Sequence, residues 1–205
     1  MSQLDVLKSL LRSGARSAQS SLRSLPLAVA VQRAVSDLGF NRVTIGDAGL
    51  TRAVTRVAEI AAVTVSSGPG RLRIDASFDD GSRLAFALLP AGMAFAPGGA
   101  KELSFTVEPS AASRDPRSRE VVAAVAGEIA RTLWRPALSR APHSDQGASV
   151  SCHDDTLVVD LRSVPEVRWA LRQRLPALLI EVIKPRALEI DNARIVLTLA
   201  LDRLM

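Results

Sequence analysis

A short alternating motif occurs twice in this chain, and its surroundings repeat with it. Leu72-Arg73-Ile74-Asp75 returns as Leu188-Glu189-Ile190-Asp191. Apolar and polar residues in alternation have the period of a half-buried strand, because successive side chains point to opposite faces. A β-rich run follows each copy, Leu84 to Leu88 and Ile195 to Leu199, and another precedes it, Val63 to Val65 and Ile180 to Val182. Upstream of each lies a helix-like stretch, and before that a further strand candidate, Arg42 to Ile45 and Leu157 to Leu161. Each unit therefore reads strand, helix, strand, strand, strand. The fold expected is α+β and internally duplicated, mainly antiparallel sheet because turns join consecutive strands, with helices packed on one face.

The organisation follows from this. Residues 1–38 read as an N-terminal helical segment and 39–205 as one pseudo-symmetric domain. Its halves span about 41–110 and 149–205, and a helix over 116–135 joins them. Asp115 before Pro116 starts that helix, with Val122, Val125, Ile129 and Leu133 on its buried face and its end near Trp134. In the first half, Asp47 reads as a helix N-cap, and Leu50, Val54, Val57 and Ala61 fall on one helical face. Ser66 to Gly70 and Asp79 to Ser82 read as turns, and Gly92 to Ala96 and Leu103 to Val107 as two further strands. In the second half, Ser163-Val164-Pro165-Glu166 matches a capping box, and Val164, Val167, Leu171 and Leu175 form the apolar face of the helix it opens. Leu179–Val182, Ala187–Asp191 and Arg194–Leu201 read as the closing strands.

Composition narrows the chemistry. Hydrophobic residues make up 47% of the 205 and aromatics only 3%, with no Tyr, so the core is built from Val, Leu, Ile and Ala. Such an interior is smooth and has few rings to stack on bases or sugars. The estimated pI is near 10.5, but basic and acidic residues are interleaved, so nucleic acid is not the expected partner. Cys152-His153-Asp154-Asp155 is the one reactive-looking cluster; neighbouring strand residues face opposite ways, and the segment reads as a strand ending in a polar turn. One Cys and two His supply too few soft ligands for a zinc site, and no spacing signature is present. The glycines do not open a phosphate-binding loop. Asp75 and Asp191, equivalent in the repeat, read as turn or edge residues. No enzyme chemistry, metal or cofactor is expected.

The N-terminal segment carries a different signal. Across 3–24, Leu4, Leu7 and Leu11 share a helical face beside a basic stripe of Lys8, Arg12 and Arg16. This face suits contact with a partner protein or an anionic membrane surface. The lone Cys152 excludes an internal disulfide, and no apolar run approaches the ~20 residues needed to span a bilayer. The expected location is cytoplasmic, with a peripheral position at the membrane.

The aliphatic, alternating strands over Val63 to Pro109, including Leu84-Ala85-Phe86-Ala87-Leu88-Leu89-Pro90 and Leu103-Ser104-Phe105-Thr106-Val107, together with the closing Leu188 to Leu197, resemble the tubular lipid-binding (TULIP) superfamily and its small bacterial relatives. The resemblance covers about residues 41–201. It implies a sheet wrapped on a helix around an apolar groove for acyl chains, and no catalytic residue. The expected function is non-enzymatic binding of a lipid or other hydrophobic ligand. The residues expected to line the interior are Val54, Val57, Leu72, Ile74, Leu84, Phe86, Phe105, Val167, Leu171, Leu188, Ile190, Ile195 and Leu197. The alternative is a protein-interaction or scaffold role that uses the N-terminal basic helix and the sheet edges.

Overall fold

The computed structural model describes residues 42–57, 60–96, 98–134, 147–172, 180 and 183–201. The elements in chain order are β1 (Arg42–Gly46), α1 (Asp47–Val54), β2 (Ile60–Gly68), β3 (Arg71–Phe78), β4 (Arg83–Phe95), β5 (Lys101–Glu108), α2 (Ala111–Arg114), α3 (Pro116–Trp134), β6 (Ser149–His153), β7 (Thr156–Asp160), a 3₁₀ turn (Leu161–Ser163), α4 (Pro165–Leu171), β8 (Ile183–Asp191) and β9 (Arg194–Leu201). Two antiparallel sheets result. One has six strands in the order β2-β3-β4-β5-β7-β6, and the other three in the order β1-β9-β8. The mixed α and β class and the antiparallel sheets are as expected.

Alternation sets the inner face of the large sheet. In β3, Leu72, Ile74, Ala76 and Phe78 are buried while Arg71, Arg73 and Asp75 are exposed. Register carries the apolar row across the sheet: Ile74 lies opposite Phe86, Leu88 opposite Val107, Phe105 opposite Leu157, and Leu103 opposite Val159. The other face carries Thr64, Asp75 and Ala85 in one row, all exposed, as an antiparallel sheet with one solvated side allows.

A second layer covers the inner face. Helix α3 lies against β6 and β7, where a Cβ at Gly127 would stand only 3.5 Å from the Ala148 Cβ. Strand β8 lies against β2, β3 and β4. The small sheet contributes Val43, Ile190, Ile195 and Leu197 to the same buried cluster as Leu72, Ile74 and Phe105. The helices thus share their face of the large sheet with three strands.

The two sheets are tied at one end by backbone bonds. Gly70 N donates to Ile190 O at 2.9 Å, and the φ of +72° that aims it there is one that glycine adopts without strain. Ala193, at φ 62°, donates through its N–H to Ser67 O (3.3 Å), and its O accepts from Asp47 N (3.2 Å).

Several local expectations are corrected. Asp47 is the first residue of α1 and caps nothing; its carboxylate accepts from Ser67 N at 3.1 Å and from Ser67 Oγ. Thr51 Oγ1 accepts from Val65 N at 3.1 Å. These two side chains occupy outward N–H groups of β2, which is an edge strand, so the helix blunts an edge open to pairing. Helix α1 ends at Val54; Val57 lies beyond it, and Ala61 is an exposed residue of β2. Ser66 to Gly68 belong to β2, leaving Pro69 and Gly70 as the turn. The runs Leu84 to Leu88 and Gly92 to Phe95 are one strand, β4, with a register shift between Pro90 and Gly92. Pro90 has no N–H for a ladder bond, and a bulge is where a strand tolerates it. Ser163 opens no capping box: its hydroxyl bonds Asp160 O and accepts from Ser149 N, and Glu166 turns to Arg131 instead. Ile180, expected in a strand, has helical backbone. By contrast, Asp115 caps α3 as read, accepting from Ser118 N at 2.8 Å.

Leu72–Asp75 lies within β3, flanked by two strands, and Leu188–Asp191 lies in β8 at the edge of the small sheet. Both copies are strands in hairpins, but they occupy different sheets, and this topology does not show a duplication.

Candidate functional site

Among the described residues, the expected ligand-lining residues meet in the interior. Val54, Leu72, Ile74, Phe105, Ile195 and Leu197 are fully buried, and Phe86, Val167 and Ile190 nearly so, all in one apolar cluster. Val57, Leu84, Leu171 and Leu188 are partly buried and packed against it. All thirteen therefore share one aliphatic interior, drawn from both sheets and from α1 and α4. Leu4, Leu7, Lys8, Leu11, Arg12 and Arg16 lie outside the described residues.

One end of this interior is polar, and nothing in the sequence reading pointed to it. Lys101 stands at the inward phase of β5, in the same alternation as Leu103 and Phe105, and is 2% exposed. Its Nζ donates to Ala96 O at 2.7 Å. Across the register from Lys101 is Phe95, whose ring stacks on Trp134 with centroids 5.6 Å apart and planes at 16°. One helical turn before Trp134 stands Arg131. Its Nε donates to Glu166 Oε1 at 2.8 Å, its Nη2 bonds the same oxygen, and its Nη1 donates to Glu128 at 3.0 Å. The Arg131 and Glu166 side chains are only 10% and 11% exposed. Burial, the largest influence, works against the Arg131 charge, but the bonds to Glu166 and Glu128 outweigh it and raise its pKa above the ordinary value.

Two buried polar atoms in this cluster, Trp134 Nε1 and Glu166 Oε2, have no hydrogen-bond partner among the described residues. A sequence signal existed for part of the site. Lys101 breaks the apolar phase of β5, and Glu128, Arg131 and Trp134 are spaced by helical turns on the covered side of α3. Periodicity alone does not say that Glu166, far off in sequence, meets them.

The other singled-out residues lie elsewhere. Cys152 ends near a tight turn, its Sγ 3.4 Å from Asp154 O, and Asp154 adopts φ 53°. His153 is exposed on β6. Asp75 sits on the open face of the large sheet. Asp191 accepts from Asn192 N and pairs with Arg194, and these two contacts, in that order, lower its pKa. Among the described residues no group of three or more His, Cys, Asp and Glu has the arrangement of a metal centre, and no helix is long and apolar enough to cross a membrane. What the region offers chemically is a packed, mainly aliphatic interior with a buried donor, Trp134 Nε1, and a buried acceptor, Glu166 Oε2. No family model, curated protein or solved structure matches the chain.

Proposed function

We propose that the protein binds a lipid or other hydrophobic molecule, without catalysis, in the aliphatic interior between its two sheets. One observation carries this reading: residues from both sheets and two helices, including Ile74, Phe86, Ile190 and Ile195, join a single apolar cluster with few rings in it. Protein interiors close-pack, so these aliphatic side chains must part around the ligand, as chains without large rings between two opposed sheets can do at low cost. An acyl chain entering between them gains roughly 0.8 kcal/mol for each buried CH₂. The resemblance to the tubular lipid-binding superfamily supports the same reading, and the paired Leu-x-Ile-Asp strands fit a duplicated strand-helix-strand-strand-strand unit. On this reading residues 3–24 bring the domain to an anionic membrane surface, from which the ligand is taken.

Native mass spectrometry of protein purified without detergent tests the proposal. A hydrophobic molecule that co-purifies, and is released on denaturation, is the expected result. Ile195→Trp should then displace it while the domain still melts cooperatively. Protein that emerges without any bound small molecule, and does not take up an added acyl lipid, would sink the reading. A stoichiometric protein partner recovered in its place would favour the interaction role.

A further inference from the structure

Trp134 Nε1 and Glu166 Oε2 are polar atoms buried without a partner among the described residues, and their chemistries are complementary. The indole N–H can only donate, and an ionised carboxylate oxygen can only accept. Trp134 is 3% exposed and Glu166 8%, so water does not freely serve either. An unmade bond at a buried atom carries the full desolvation penalty of that atom. Both side chains are also fixed by their remaining contacts. Phe95 holds the Trp134 ring, and Arg131 holds the other Glu166 oxygen. Arg131, which holds Glu166, and Trp134 stand three residues apart in α3, a spacing at which helix side chains are neighbours.

Resting on the reading that the interior takes an apolar molecule, we infer that Trp134 and Glu166 form the polar end of that site and hold a neutral, hydroxyl-bearing head group. A hydroxyl accepts from Trp134 Nε1 and donates to Glu166 Oε2 at once. An ammonium head has no lone pair for the indole. An ionised carboxylate or phosphate has no proton for Glu166 and meets its charge at close range. The charges around this end favour the same choice: Lys101 and Arg131 are balanced by Glu128 and Glu166. The ligand class is therefore a long-chain alcohol or a partial glyceride, its chain in the aliphatic interior and its hydroxyl between α3 and α4.

The test uses the full chain carrying Trp169→Phe, which leaves Trp134 as the sole indole. Three probes share one chain: 1-monooleoylglycerol, methyl oleate, and oleate at pH 8. Binding is followed by Trp134 emission and by native mass spectrometry. The hydroxyl probe should bind about tenfold more tightly than methyl oleate, the worth of roughly one buried hydrogen bond. Both neutral probes carry an acceptor for the indole and should move the emission to longer wavelength, and oleate should bind weakest. Trp134→Phe keeps the ring stack and should weaken both neutral probes, since the ester carbonyl of methyl oleate also accepts from the indole, and the preference that remains is the hydroxyl's bond to Glu166. The emission readout stands even where that variant does not fold. Equal affinity for the two neutral probes with unmoved emission would overturn the head-group assignment and leave apolar binding standing. A crystal structure with only a water between Trp134 and Glu166, and the glyceride seated elsewhere, would overturn it too. Failure of all three probes to bind would overturn the proposed function, and this inference with it.

Discussion

Removing Arg131 should cost the fold more than removing Arg131 and Glu166 together. Arg131 bonds Glu166 through two nitrogens and Glu128 through a third, with the Arg131 and Glu166 side chains 10% and 11% exposed. Arg131→Met leaves two carboxylates buried side by side with no counter-charge. Stranding a buried charge costs about 3–5 kcal/mol. Glu166→Leu is milder, because Arg131 keeps Glu128, and the expected cost is about 2 kcal/mol. In Arg131→Met/Glu166→Leu one of the two stranded carboxylates is gone, and the new side chains extend the apolar cluster. The double variant should be about 1–2 kcal/mol more stable than Arg131→Met alone, far from the sum of the single effects. For a chain of 205 residues, each 1 kcal/mol moves Tm by about 2–4 °C. Denaturant titration gives the energies, and thermal melts followed by circular dichroism check them. Single effects that add to within about 0.5 kcal/mol would show the three groups to be independently hydrated, and the buried polar end would have to be abandoned.

Three further outcomes follow from particular contacts. Asp80 bonds Ser82 and pairs with Arg117, whose guanidinium lies 5.5 Å from the Phe78 ring centroid; the Ser82 bonds lead in lowering its pKa to about 2. A depressed folded pKa gives stability that is present above the ordinary value of 3.8 and lost as pH falls toward 2, so the Tm gap between the parent and Asp80→Asn should close over that interval. Asp47→Ala removes both bonds to Ser67 and uncovers the β2 edge; it should destabilise by about 1–2 kcal/mol and promote self-association, seen as earlier elution on size exclusion. Ile74→Ala, at a fully buried position facing Phe86, should cost about 2–5 kcal/mol in a denaturant titration, with the low end expected where the site collapses or a ligand fills it.

What the sequence determined by itself is local. The alternation in Leu72 to Phe78 assigned each residue its face before any partner strand was known, since the pleat fixes that period. The Val122, Val125, Ile129 and Leu133 stripe likewise marked the covered side of α3, and Asp115-Pro116 marked its start. The thirteen apolar positions share one interior because burial follows from the same periodicities.

The tertiary structure decided wherever a side chain chose between near and distant partners. Asp47 had a cap within reach and instead took Ser67 on the neighbouring edge strand. Glu166 had a helix start within reach and instead took Arg131, thirty-five residues away. A carboxylate gains more from a desolvated guanidinium or a free edge N–H than from a solvated helix end, and only packing reveals which is on offer. Each Leu-x-Ile-Asp strand pairs with a chain neighbour through a short turn, but the sheet it ends in depends on distant pairing, as of β9 with β1, which local pattern does not encode. The polar end of the interior belongs to this second kind. Lys101, Arg131, Trp134 and Glu166 come from three elements, and tertiary contacts link them: Arg131 bonds Glu166, and Phe95, opposite Lys101, stacks on Trp134.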